Sequence, residues 1–166
     1  MVNPLGLEEP REVPPKIWYP IVDHGTLEDD DFLRTKYAAL LANAVDPSFE
    51  FGVRPAFVEI LKQLDPVEAK ILDDLYVGSD LKGGESWLAL IPRTELDLIL
   101  RNNGINDRTE AHVTMGALMR QGLIDSPEPD RPNSPESIDL NWLAFPIQLS
   151  NFGYAFVAAC QPPQKA

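Results

Sequence analysis

Between Met119 and Ser126 the sequence MRQGLIDS changes its apolar period without an intervening loop: a helical pattern stops at Gly122, and the apolar pair Leu123 and Ile124 follows at once. Glycine accepts the left-handed backbone that closes a helix, so a strand can start directly after it. A helix delivered straight into a short strand is how a winged helix-turn-helix passes from its third helix to its wing. That single junction restricts the folds available to the rest of the chain.

The flanking segments fit the same order. DPVEAKILDDLY opens with a strong start signal: Asp65 as N-cap, Pro66 at the first helical position and Glu68 at the third, with Val67, Ile71, Leu72 and Leu75 as the buried stripe. After a loop, WLALI reads as a short strand. PRTELDLILRNNG puts Leu96, Ile99 and Leu100 on one helical face and ends at Gly104. NDRTEAHVTMGALMRQG is a third helix, capped by Asn106 or Asp107, with Ala111, Val113 or Thr114, Leu118 and Met119 inward. LIDS and PIQLS are the wing strands, separated by a Pro-rich insertion, and Ser150 caps a closing helix in SNFGYAFVAAC.

Ahead of this half, residues 1–25 contain the prolines of a Pro-rich stretch and read as an extended arm, pinned by Ile17, Trp18 and Tyr19. From Thr26, an N-cap candidate, a helix carries Leu33, Tyr37, Leu40, Leu41 and Ala44 along one face, and Pro47 lies beyond its end. A short helix in RPAFVEILKQL turns Phe57, Ile60, Leu61 and Leu64 inward. The expected fold is therefore mainly α with a small β wing. Residues 26–160 form one domain, in which a helical pair (26–64) precedes a winged helix-turn-helix-like half (65–160), and 161–166 are a tail.

Composition bears on partners more than on fold. The formal net charge is -12, and 17 acidic against 8 basic side chains precede Pro92, while 9 acidic and 6 basic follow from it. A protein that binds duplex DNA gains affinity by neutralising phosphates, and this balance opposes it. The lone cysteine, Cys160, sits on an apolar helical pattern and has no second cysteine in the chain to pair with. The apolar runs are too short to span a membrane and no export signal opens the chain, so a cytoplasmic protein is expected.

No catalytic arrangement emerges. The run Glu28 to Asp31 has the charge for a divalent cation, but consecutive helical residues diverge, and acids at a helix start suit the dipole. Glu68-Ala-Lys70 resembles the tail of a metal-dependent nuclease motif, yet on a helix its two side chains point apart. His24 and His112 are the only histidines, and neither has a partner at ligand or nucleophile spacing. No enzyme, cofactor or metal is expected. The third helix offers Arg108 and His112 for contact, Arg101 and Arg120 flank it, and the insertion contributes an apolar cluster with Trp142 and Phe145.

Two segments, LANAVDPSFEFGVRPAFVEILKQLDPVEAKILDDL and ALMRQGLID with IQLSNFGYAFVAAC, resemble the abortive infection alpha family of bacterial proteins, a domain of unknown function. The shared features fall on Leu40, Leu41, Ala42, Ala44 and Asp46, on Pro55, Phe57, Val58, Ile60 and Leu61, and on Leu64, Pro66, Ala69, Ile71 and Leu72. They resume at Gly122 and Leu123 and close with Leu149, Gly153, Phe156 and Cys160, so the resemblance runs from about Trp18 to Cys160. Glu68 stands where the family often has Asp, and Ser150 where it has Thr; both keep the capping chemistry. Fuller members carry a helical region ahead of this core, which implies a short form or fragment whose effector activity lies elsewhere. The resemblance implies a part in phage defence and assigns no chemistry. Together with the charge, it predicts a sensing or adaptor module that contacts another protein, with a winged-helix DNA-binding regulator as the alternative.

Overall fold

The computed structural model describes residues 10–80, 90–126 and 146–163. They are mainly helical, with seven helices and one two-stranded antiparallel sheet among the described residues. The chain divides into two compact units: residues 1–66 with 155–166, and residues 67–154. No helix among the described residues is long and apolar enough to cross a membrane.

In the first unit, α1 (Pro15–Leu27) overturns the expected extended arm. Pro15 occupies the first helical position, where the missing N–H is no loss, and Pro20, inside the helix, cannot donate to the Lys16 carbonyl. Ile17 and Ile21, one turn apart, are buried, and Gly25 continues that face; a Cβ there would lie 3.0 Å from the Tyr37 Cβ. The inward period of this helix rests on small and isolated residues, and five prolines in the first twenty residues mask it.

Helix α2 (Asp31–Val45) is capped by Asp30, whose carboxylate accepts the Leu33 N–H at 3.0 Å. Thr26 is not its cap: it lies inside α1 and donates its hydroxyl to the Asp23 carbonyl at 2.9 Å. Leu33, Tyr37, Leu40 and Ala44 are buried as their spacing predicts, whereas Leu41 is half-buried. Asn43 is buried as well and donates its amide to the Ala159 and Gln161 carbonyls, both at 2.8 Å. In α3 (Pro55–Leu61), Phe57 is fully buried and meets Phe156 edge to face, centroids 5.8 Å apart. Cys160 is buried, as expected of an apolar position.

The second unit begins with α4 (Pro66–Asp80), with Pro66 at its first position and Ile71, Leu72 and Leu75 in the core. Ile91, the last residue of the strand expected over 87–91, pairs with Ile147 as an isolated bridge through two backbone bonds of 2.7 and 3.1 Å. Residues 87–89 of that run lie outside the described residues.

Helices α5 (Arg93–Asn102) and α6 (Arg108–Arg120) end alike. Gly104 and Gly122 have φ of 85° and 71°, and Ile105 and Leu123 donate back to the carbonyls of Leu100 and Leu118 at 2.9 and 3.0 Å. Each glycine is thus followed by a buried apolar residue that seals the helix end. Asp107 caps α6.

The buried stripe of α6 is Ala111, Met115 and Leu118. Val113 is 64% exposed, and Thr114 and Met119 are half-buried, so the expected inward set was out of phase by part of a turn. Strands β1 (Ile124–Asp125) and β2 (Gln148–Leu149) pair Ile124 with Leu149 and Asp125 with Gln148. Helix α7 (Asn151–Ala159) follows, capped by the Ser150 hydroxyl, which accepts the Gly153 N–H at 2.8 Å.

Candidate functional site

Arg101 lies in the last turn of α5 and Arg108 at the first position of α6, so the short turn through Gly104 brings both arginines to one corner. They line an open depression of about 220 Å³ together with Arg93, Asp97 and Asn106. Its floor is apolar: Leu100, Ile105 and Ala111, all buried, line it too. Pockets for cofactor-sized ligands run to roughly 300–1,000 Å³. This one has room for a side chain.

Charges at the corner are nearly balanced. Arg93 approaches Asp97 at 3.7 Å across one turn of α5, a half-exposed pair that contributes less than about 1 kcal/mol but occupies both groups. The Asp107 carboxylate accepts the Thr109 and Glu110 N–H groups at 2.8 and 3.0 Å. The Glu110 bond above all holds it below the ordinary carboxylate value of 3.8. Asp107 is therefore a fixed anion at the helix start. Three guanidiniums face two carboxylates around the depression.

The outward face of α6 is similarly mild. Thr109, Glu110 and Val113 are exposed, Gly116 continues the stripe, and Arg120 stands at the far end, about 18 Å along the axis from Arg108 at 1.5 Å per residue. His112 is half-buried beside that face and does not line the depression. The structure thus brings Arg101 and Arg108 together and leaves His112 and Arg120 apart from them. Trp142 and Phe145 lie outside the described residues.

Arg93 and Asp97 were missed from the sequence. Their signal was present: Arg93, Asp97 and Arg101 recur at intervals of four, which places them on one face of α5. The corner offers apolar contact and guanidinium hydrogen bonding, which is the chemistry of binding. Among the described residues no three metal-ligating side chains cluster. No curated protein and no solved structure matches the chain. The family model for abortive infection alpha matches residues 3–160, and the chain belongs to that family.

Proposed function

We propose that this chain is a non-catalytic sensing or adaptor module of bacterial phage defence, and that its second unit is a winged-helix scaffold turned to gripping another polypeptide. Family membership supports the biological setting. The element order supports the scaffold: α4, the Ile91 bridge, α5, α6, β1, β2 and α7, with the 147–149 segment pairing with Ile91 through Ile147 and with Ile124 through Leu149. This order is what supports reading the unit as a helix-turn-helix with a wing.

The observation that carries the molecular reading is the near-neutral face of α6. A recognition helix entering a major groove presents cations and amide side chains to bases and phosphates. This helix presents Thr109, Glu110 and Val113 between Arg108 and Arg120, and the Asp107 anion and Glu110 offset the two arginines. Such a face suits a protein surface better than a polyanion.

A photo-crosslinking residue at position 113 in phage-challenged cells tests the proposal. It is expected to capture a polypeptide, with capture and protection both lost in Arg101→Glu. Full protection by a Val113→Asp, Arg101→Glu double variant of unchanged thermal stability would end the proposal. The reading of a DNA-binding regulator draws on Arg101 and Arg108, which stand at the end of α6 that such proteins bring to the duplex.

A further inference from the structure

The outer face of α1 carries a contiguous apolar stripe that nothing in the second unit's chemistry accounts for. Tyr19 is 61% exposed, Trp18 41% and Val22 39%; residues 18 and 22, and 19 and 22, are neighbours on a helix surface. Trp18 and Tyr19 pack edge to face with centroids 5.9 Å apart, so the two rings are held as a unit. Large exposed aromatics side by side mark a contact surface more often than isolated apolar residues do.

The stripe ends at a strongly acidic corner. Residues 23–34 hold five carboxylates and one guanidinium. Arg34 is consumed locally, donating to the Glu28 carbonyl at 2.7 Å and to the Asp31 carboxylate at 2.6 Å. Glu28 accepts the Asp30 N–H and Asp30 caps α2. Asp23 and Asp29 are both exposed, and among the described residues it is their backbone carbonyls, not their carboxylates, that accept from Thr26 and Arg34.

We infer that this face docks a cationic amphipathic segment of a partner protein, whose apolar side chains cover Trp18, Tyr19 and Val22 while its Lys or Arg side chains reach Asp23 and Asp29. Charge selects that occupant from the others. A second copy of this chain would bring the same carboxylates against one another about a two-fold axis. A bilayer rich in anionic lipid would be repelled in the same way. Cationic side chains, in contrast, gain from the carboxylates and from the exposed ring faces together. This surface belongs to the first unit and α6 to the second, so the inference does not depend on the function proposed above.

The test is fluorescence anisotropy of the full chain with a labelled Leu/Lys peptide patterned for one apolar helical face, and with its Leu/Glu counterpart. Saturable binding of the Leu/Lys peptide is expected, weakened by salt. It should fall about tenfold or more in Trp18→Ala, Tyr19→Ala and in Asp23→Asn, Asp29→Asn, with no change in Val113→Asp. The second pair leaves every buried side chain of α1 in place and decides the matter if the first unfolds. Equal binding of the Leu/Glu peptide, or Leu/Lys binding untouched by the substitutions, overturns the inference. So does stripe-dependent dimerisation in sedimentation, or stripe-dependent flotation with phosphatidylglycerol vesicles.

Discussion

Gly153 lies directly against the Leu123 carbonyl: a Cβ at position 153 would overlap the carbonyl oxygen and stand 2.7 Å from its carbon. The same carbonyl accepts the Ser150 N–H at 3.0 Å, and the Ser150 hydroxyl donates to the Gly122 carbonyl at 2.5 Å. The start of α7 is thereby fastened to the backbone that leads from α6 into β1. Glycine is required at 153 for lack of space, whereas at 104 and 122 it is required for its positive φ.

Gly153→Ala is therefore expected to destabilise the protein by about 3 kcal/mol, since backbone, not a flexible side chain, would have to move. Urea denaturation measures it. A loss under about 1 kcal/mol would mean that the contact relaxes freely.

Asn43 ties α2 to the end of α7 through two buried hydrogen bonds. Asn43→Ala removes both donors and leaves the Ala159 and Gln161 carbonyls to find other partners, at an expected cost of about 2–3 kcal/mol. Chemical denaturation reads this, and Asn43→Asp, which turns the donor into an anion facing two carbonyls, should cost more at neutral pH.

The lowered Asp107 carboxylate makes the start of α6 sensitive to acid. A carboxyl depressed on folding contributes stability that is fully present above the unfolded value near 3.8 and disappears as pH falls through the lower folded value. Asp107→Asn keeps a capping oxygen without the charge and should flatten the acid limb of the stability profile. Asp107→Ala should flatten it too, and fray α6 at every pH. Hydrogen exchange at the Thr109 and Glu110 amides reports the fraying.

Burial of Tyr37 in the first unit pushes its phenol up to about 12, with Glu28, Cys160 and Glu59 adding repulsion. A raised pKa contributes stability that is complete below the unfolded value of 10 and is lost as pH rises towards 12. Stability should thus decline between those values, and Tyr37→Phe should remove part of the decline. Phenolate absorbance of the folded chain should show one late-titrating group that the variant lacks.

What could be read in advance divides along physical lines. The turns at Gly104 and Gly122, the cap at Ser150 and the pairing of LIDS with PIQLS were legible because each depends on local backbone chemistry, and the cap of α6 was narrowed to Asn106 or Asp107, of which the structure has Asp107. Helix α1 was not, because its inward face is spelled by Ile17, Ile21 and a glycine that fits against Tyr37, a contact visible only in three dimensions. The phase of α6 failed for a related reason. Between Ala111 and Leu118 the segment mixes Val, Thr, Met, Gly and Ala, whose polarity contrast is too weak to choose Met115 over Val113. Arg101 and Arg108, singled out as contact residues in the sequence, line one depression, and Arg93 and Asp97 join them there through the helical spacing of α5.

The claim most open to direct trial is that the α5–α6 corner holds polypeptide and not duplex. Anisotropy of a labelled random-sequence DNA duplex should be followed as the full chain is added at low and at physiological salt. At physiological salt the account predicts no saturable binding and no difference between the native chain and Arg101→Ala, Arg108→Ala. Saturable binding with a steep salt dependence, lost in that double variant, would contradict it.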